Sequence, residues 1–192
     1  MRTEAESNAV RLARLTSARI VLVPVVMALV LWPDGGQALQ IWAAAVFALA
    51  ALTDFLDGYL ARRWNATTRL GTFLDTTADK LLVTGVLCAL VWVHRASPWI
   101  ALIIIGREVL ILGLRGVVAA DGTVVRPSIW GKLKFNVQFV AILLAILRLG
   151  PQLGPWYLDQ YAMLVAAIVT VLSGVEYVVR YSGSFAEPPA RS

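Results

Sequence analysis

The sequence predicts an all-α membrane protein, a six-transmembrane-helix bundle with an N-terminal interfacial amphipathic helix. Hydrophobic residues make up 59% of the chain, whereas soluble domains contain about 45–50% apolar residues. The apolar residues form long blocks, and blocks of about 20 residues are typical of membrane spans. Basic residues flank these blocks unevenly, as they do in membrane proteins with a fixed orientation.

The blocks predict spans at residues 17–33, 38–60, 74–94, 98–118, 131–149 and 155–180. A turn signal over residues 33–36 (Pro-Asp-Gly-Gly) ends the first span, and two Gly-Pro pairs at 150–151 and 154–155 mark the last connection. The polar leader contains apolar residues among Arg11 and Arg14, which predicts a short interfacial helix. A disordered leader is the alternative.

Three segments follow from this division. Residues 1–16 are the interfacial segment, residues 17–181 the six-helix domain, and residues 182–192 a cytoplasmic tail. The tail is small, polar and proline-bearing, which predicts disorder.

The distribution of basic residues predicts the orientation. Only Arg95 and Arg148 lie on one side of the predicted membrane. The other side carries Arg2, Arg11, Arg14, Arg19, Arg62, Arg63, Arg69, Arg115, Arg126, Lys132, Lys134, Arg180 and Arg191. Both termini and the second and fourth connections are therefore expected in the cytoplasm, as in a bacterial inner-membrane protein. The net charge of +5 fits anionic lipid headgroups, and we expect no nucleic-acid partner.

Tryptophans are expected near the span ends on the opposite side, as in an aromatic belt. They are Trp32, Trp42, Trp92, Trp99 and Trp156.

Four carboxylates interrupt the apolar blocks. Asp54 and Asp57 come late in the second span, and Asp75 and Asp79 come early in the third. A charged residue inside a span costs roughly 2.5–3.5 kcal/mol on insertion scales, so it indicates a functional site. Within each pair the spacing is helical, and the short connection 62–70 makes the two helices antiparallel neighbours. We therefore expect the four acids to face one another.

Four converging carboxylates repel one another, and a divalent cation resolves the conflict. Oxygen ligands without nearby Cys or His favour Mg²⁺ or Mn²⁺ over zinc. Gly58, Ala61 and Gly71 leave the backbone open on the same faces, so a nucleotide could approach closely. Arg62 could pair with a phosphate. The alternative is an acid–base network that holds the bundle together, with Arg62, Arg63, Arg69 and Lys80 as the available bases.

These residues resemble the signature of the CDP-alcohol phosphatidyltransferases. All eight signature positions match at the family spacing: Asp54, Asp57, Gly58, Ala61, Arg62, Gly71, Asp75 and Asp79. The signature covers residues 54–79, and the six-span plan extends the resemblance over nearly the whole chain.

The resemblance implies an enzyme with a six-helix fold, usually dimeric, in which a cytoplasm-facing cavity holds two divalent metal ions. By this resemblance Asp54, Asp57 and Asp75 are metal ligands, and Asp79 bridges or adjoins the metal and is the general base. It also implies that Asp54, together with Gly58, Ala61, Arg62 and Gly71, binds the cytidine diphosphate of CDP-diacylglycerol.

The acceptor alcohol must be recognised elsewhere. Arg107 and Arg115 lie eight residues apart in the fourth span, and Lys132 and Lys134 follow. Together they could form a cationic pocket for an acceptor that carries a phosphate. Two segments, Arg107–Arg115 and Trp130–Lys134, are similar to those of phosphatidylglycerophosphate synthases, which use glycerol 3-phosphate.

Other interpretations stay open. Lys132 and Lys134 could be positive-inside anchors, and Arg107 could pair with Glu108. Inositol phosphate and phosphatidylglycerol are the alternative acceptors. Related synthases often begin with Pro-Asn-x-Leu-Thr-x-x-Arg, and this chain keeps Leu15, Thr16 and Arg19 but not Pro-Asn. Outside this chemistry, the acids could line a divalent-cation transporter, although no internal repeat supports one.

Overall fold

The computed structural model describes residues 4–32, 35–63, 69–120, 129–149 and 152–186. Within these ranges, the side chains of residues 4–15, 54–63, 69–70, 72, 119–120 and 183–186 are not described. The chain divides into two compact units, Met1–Arg95 and Ala96–Ser192.

The described residues form helices at the six predicted places. They are α1 (Glu4–Leu31), α2 (Gly36–Arg63), α3 (Arg69–Trp92), α4 (Pro98–Ala120), α5 (Ile129–Leu147) and α6 (Leu158–Ala186). No strand occurs in this part of the chain, and an isolated bridge joins Leu153 to Trp156. The all-α prediction is confirmed for the described residues.

Three of these helices contain apolar stretches long enough to cross a bilayer: Gly36–Thr53, Ile129–Leu147 and Leu158–Ser182. In α1 the apolar stretch, Thr16–Leu31, is shorter. The long apolar runs of α3 and α4 are interrupted by charged residues, which are Asp75, Asp79 and Lys80 in α3 and Arg107, Glu108 and Arg115 in α4. By length and apolar composition, the described helices therefore give three spans where the sequence predicted six.

Two predicted segment boundaries do not coincide with helix ends. α1 starts at Glu4 and continues past residue 16, so the predicted interfacial segment and the first apolar block form one helix. α6 continues to Ala186, five residues into the segment predicted as a disordered tail. The hydroxyl of Ser182 donates a hydrogen bond to the carbonyl of Val179 at 2.9 Å, a contact that serine makes within helices.

In the first unit, α1 packs against both α2 and α3. Val26 on α1, Phe47 on α2 and Val86 on α3 are almost completely buried in its apolar core. α1 and α3 approach each other closely at Gly85, where an added Cβ would lie 2.7 Å from Cγ1 of Val23. This approach brings α1 next to the acidic face of α3.

In the second unit, α6 packs against both α4 and α5. Ile104, Ile142 and Ala166 are buried at these contacts. One polar pair is also buried there, because Gln138 Nε2 on α5 donates a hydrogen bond to Thr170 Oγ1 on α6 at 2.8 Å. α6 is therefore the central helix of this unit.

Local signals explain where α3 ends and α4 begins. His94 takes a left-handed conformation (φ 56°), and the backbone N–H of Arg95 reaches back to the carbonyl of Leu90 at 2.8 Å. Ser97 then precedes Pro98, the first residue of α4, an arrangement that favours helix initiation.

The five tryptophans predicted to form an aromatic belt are all exposed. In the first unit, Trp32 and Trp92 lie at the ends of α1 and α3, and Trp42 lies near the start of α2. In the second unit, Trp99 is the second residue of α4, and Trp156 lies two residues before α6. Exposed indoles at helix ends are typical of the membrane–water interface.

Candidate active site

Two of the four predicted acids have described side chains, and both lie on α3. Gly71, Asp75 and Asp79 follow one another at four-residue intervals, so they share one stripe of this helix. The Asp75 side chain is 39% exposed and that of Asp79 is 23% exposed. Ala78, beside them, is fully buried. The carboxylates are therefore accessible while their helix is fixed by packing.

Arg19 on α1 contacts this stripe. Its Nη1 donates a hydrogen bond to Oδ1 of Asp75 at 3.1 Å, and the Arg19 side chain is 0% exposed. A guanidinium buried this deeply needs an anionic partner, and Asp75 supplies one. Thr16, three residues earlier on α1, is also buried. The ion pair thus joins α1 to the acidic stripe.

Sequence reasoning did not include Arg19 among the site residues. The signal was present, because Thr16 and Arg19 belong to the segment that resembles the start of related synthases. Spacing alone could not identify Asp75 as the partner, since the two residues are 56 positions apart.

Asp79 has a cationic neighbour as well. Lys80 Nζ lies 2.7 Å from Oδ2 of Asp79, and both side chains are partly exposed. Such a pair contributes little to stability, because water and side-chain entropy offset the attraction. It nevertheless places a positive charge beside a carboxylate that the family resemblance makes the general base.

The other half of the predicted site lies on the last turns of α2. Asp54, Asp57, Gly58, Ala61 and Arg62 are in the helical range Gly36–Arg63, but their side chains lie outside the described part of the structure. The helix itself supports the spacing assumed for them. The convergence of Asp54 and Asp57 with Asp75 and Asp79 stays a prediction.

The described side chains contain no group of three or more His, Cys, Asp or Glu suited to a metal ion. Asp54 and Asp57 are not among these described side chains. The part of the set that is described does fit Mg²⁺ or Mn²⁺, because Asp75 and Asp79 offer hard oxygen donors one turn apart on an accessible face.

The second unit contains a buried charge cluster formed by Arg107, Glu108 and Lys134. Lys134 Nζ on α5 donates to Oε1 of Glu108 on α4. Arg107 Nη1 lies 3.4 Å from the same oxygen. The side chains of Glu108 and Lys134 are only 6% and 7% exposed. The structure therefore brings two of the four predicted acceptor cations to one carboxylate.

α6 fixes the position of Arg107 in this cluster. Arg107 Nη2 donates a hydrogen bond to Ser173 Oγ at 2.6 Å. The next residue, Gly174, leaves room for the arginine stem, because an added Cβ would lie 3.3 Å from Cγ of Arg107. Sequence reasoning identified neither Ser173 nor Gly174, since no motif contains them.

The other two predicted acceptor cations have different surroundings. Arg115 lies over the ring of Tyr177 on α6, with its guanidinium carbon 5.9 Å from the ring centroid. Lys132, in the first turn of α5, is exposed. The pairing of Arg107 with Glu108, the alternative interpretation of this arginine, is present. A role of Arg107 in substrate binding stays a prediction.

Comparison with known proteins identifies a matching family and several relatives. A model of the CDP-alcohol phosphatidyltransferase family matches residues 13–172. The chain is 38% identical over 175 residues to the CDP-diacylglycerol–glycerol-3-phosphate 3-phosphatidyltransferase of Bacillus subtilis, covering 85% of this chain and 91% of that protein.

Two further relatives are similar over the same region. A probable phosphatidylglycerophosphate synthase of Mycobacterium tuberculosis is 40% identical over 170 residues, covering 86% of this chain and 78% of that protein. A Salmonella choleraesuis protein with the same name as the Bacillus relative is 38% identical over 169 residues, covering 85% of this chain and 90% of that protein. The chain belongs to the CDP-alcohol phosphatidyltransferase family and is an enzyme of that class.

Proposed function

We propose that this enzyme transfers the phosphatidyl group of CDP-diacylglycerol to glycerol 3-phosphate, giving phosphatidylglycerophosphate and CMP. The observation that carries the proposal is that Arg107 and Lys134 meet at one carboxylate oxygen of Glu108, which brings together two cations for an acceptor that bears its own phosphate. The names of the Bacillus and Salmonella relatives specify the same donor and acceptor.

The donor site in this proposal lies on α2 and α3. Asp54, Asp57, Asp75 and Asp79 would hold Mg²⁺ or Mn²⁺, two ions by family resemblance. When bound, the metal neutralises the diphosphate and stabilises the charge on departing CMP. Asp54 would also contact the CDP-lipid, alongside Gly58, Ala61, Arg62 and Gly71.

Asp79 is the general base in this proposal. It accepts the proton of the attacking hydroxyl while that oxygen bonds to the lipid-side phosphorus. The bond between this phosphorus and the CMP oxygen breaks in the same in-line displacement, and CMP leaves with the electron pair. The positive charge of Lys80, 2.7 Å from Asp79, balances the carboxylate before the proton arrives.

Replacing Asp79 tests this assignment. Asp79→Asn is expected to abolish CMP release while leaving most CDP-lipid binding intact, because the amide keeps the shape but cannot accept the proton. Thr77→Val is the matched control on α3, since the Thr77 hydroxyl donates its hydrogen bond to the carbonyl of Phe73 in the same helix. Normal turnover by the Asp79→Asn enzyme would show that another group is the base.

The acceptor is tested separately. Purified protein is incubated with CDP-diacylglycerol and, in turn, glycerol 3-phosphate, inositol phosphate or phosphatidylglycerol, and CMP release is measured. We expect release with glycerol 3-phosphate only. Release with another acceptor alone would replace the acceptor in this proposal, and metal uptake into vesicles without CMP release would favour a transporter.

The proposed setting is a bacterial inner membrane crossed by all six helices, with the active site facing the cytoplasm. The charges in α3 and α4 belong to the sites proposed above, which explains why charged residues interrupt the apolar runs of these two helices. We also propose a homodimer surrounded by membrane lipids, by family resemblance. Cysteine accessibility on the two sides of the membrane and the particle mass in detergent test these statements.

A further inference from the structure

Glu108 lies between two cations that the proposed function assigns to the acceptor. One of its oxygens, Oε1, accepts a hydrogen bond from Lys134 and lies 3.4 Å from Arg107 Nη1. Glu108 comes from α4 and Lys134 from α5, 26 positions along the chain. The carboxylate therefore determines how close these two cations can come to each other.

The electrostatics of this cluster depend on burial. Two cations that share one acceptor atom repel each other, and the repulsion is strong where water is excluded. Glu108 and Lys134 are more than nine-tenths buried, so the carboxylate offsets that repulsion in place of water. One positive charge in excess remains in the group of three, which suits a ligand carrying a phosphate.

Glu108 itself is unsuited to bind an anion, so its effect on a phosphate must pass through its partners. Glu108 on α4 contacts Lys134 on α5 and its own neighbour Arg107, and Ser173 on α6 also contacts Arg107. Loss of the carboxylate should therefore disturb the positions of both cations.

We propose that Glu108 is a positioning residue for the acceptor: it holds Lys134 and Arg107 in the arrangement that binds the acceptor phosphate. This inference rests on the proposed function, because it takes glycerol 3-phosphate as the acceptor. In this proposal Glu108 contributes to the recognition of the acceptor, although its carboxylate and the acceptor phosphate are both negatively charged.

The test is steady-state kinetics of Glu108→Gln with each substrate varied. We expect the KM for glycerol 3-phosphate to rise about 10-fold or more, as for loss of a hydrogen bond to a charged group. We expect kcat to stay within about 3-fold, and the KM for CDP-diacylglycerol to be unchanged. An unchanged KM for glycerol 3-phosphate overturns the proposal.

A double-mutant cycle distinguishes positioning from a general loss of packing. In a Lys134→Gln background, Glu108→Gln should raise the acceptor KM less than it does in the wild type, because one of the two cations that Glu108 positions is already gone. Gln138→Met is the matched control, since it removes another buried polar contact between helices of the same unit. Independent, additive effects, or an equal rise in KM for the control, would overturn the proposal.

Glu108→Asp keeps the charge and shortens the side chain. It should raise the acceptor KM by about 3-fold or more, with the CDP-diacylglycerol KM unchanged, and it provides the decisive variant if Glu108→Gln does not fold. No rise in either variant overturns the proposal.

Failure of the proposed function has a different result. If the wild type releases no CMP with glycerol 3-phosphate, or if Lys134→Gln leaves its KM unchanged, the acceptor assignment is wrong. If Lys134→Gln raises that KM and neither Glu108 variant does, the assignment stands and the role of Glu108 is wrong.

Discussion

The Arg19–Asp75 pair predicts an asymmetric response to removing one partner or the other. The Arg19 side chain is 0% exposed, whereas that of Asp75 is 39% exposed. Asp75→Asn leaves a buried guanidinium without its carboxylate. Arg19→Met instead leaves a carboxylate that water can reach, and fills the space of the arginine stem with an apolar chain.

The magnitudes follow from these exposures. Removing one partner of a buried ion pair costs about 3–5 kcal/mol, and we expect Asp75→Asn to fall at the lower end, about 3 kcal/mol, because Asp75 is partly solvated. We expect Arg19→Met to cost about 1 kcal/mol or less, since the Asp75 carboxylate that remains is 39% exposed and water can solvate it.

The assay is reversible unfolding in mixed detergent micelles with a chelator present, so that metal binding to Asp75 does not contribute. The difference between the two variants should be about 2 kcal/mol in the free energy of unfolding. Equal losses, or a larger loss for Arg19→Met, would refute the reasoning that the buried charge is the one that needs its partner.

Other predictions concern packing, the acceptor and the metal. Gly85→Ala should lower the free energy of unfolding by about 1–2 kcal/mol, because the new Cβ would lie 2.7 Å from Val23 Cγ1. Gly113→Ala, with nothing within 4 Å, should raise it by up to about 1 kcal/mol in the same unfolding assay. Ser173→Ala should raise the KM for glycerol 3-phosphate about 3- to 10-fold without affecting CDP-diacylglycerol, because Arg107 loses a hydrogen bond. Exhaustive chelation should abolish CMP release, and Mg²⁺ or Mn²⁺ should restore it. Full activity after chelation would contradict the metal assignment.

Much of the helical plan could be predicted because its signals are local. Apolar blocks and turn residues identified all six described helices, and the signature identified the acidic stripe of α3. The charged residues that identified the candidate sites also interrupt the apolar runs of α3 and α4. The prediction of six spans therefore included α3 and α4, although neither contains, among the described residues, a stretch with the length and apolarity of a span.

The partners of the charged residues were harder to predict. Glu108 was considered beside Arg107, its neighbour in sequence, but its contact with Lys134 depends on how α4 and α5 are arranged in the folded unit. Arg19 reaches Asp75 only because α1 packs on α3. Ser173 and Gly174 lie in an apolar helix where neither residue stands out.

The length of α1 has a mechanical consequence. Its 28 residues, at about 1.5 Å each, extend roughly 42 Å, whereas the hydrocarbon layer is about 30 Å thick. Pro24 lacks an amide hydrogen, so the helical hydrogen bond that it would donate is missing, and this interruption lies after Arg19. The part of α1 from Glu4 to Arg19 is thus a continuous helix without a proline. A displacement of the first turns of α1 would therefore also displace Arg19, the residue that contacts the Asp75 carboxylate.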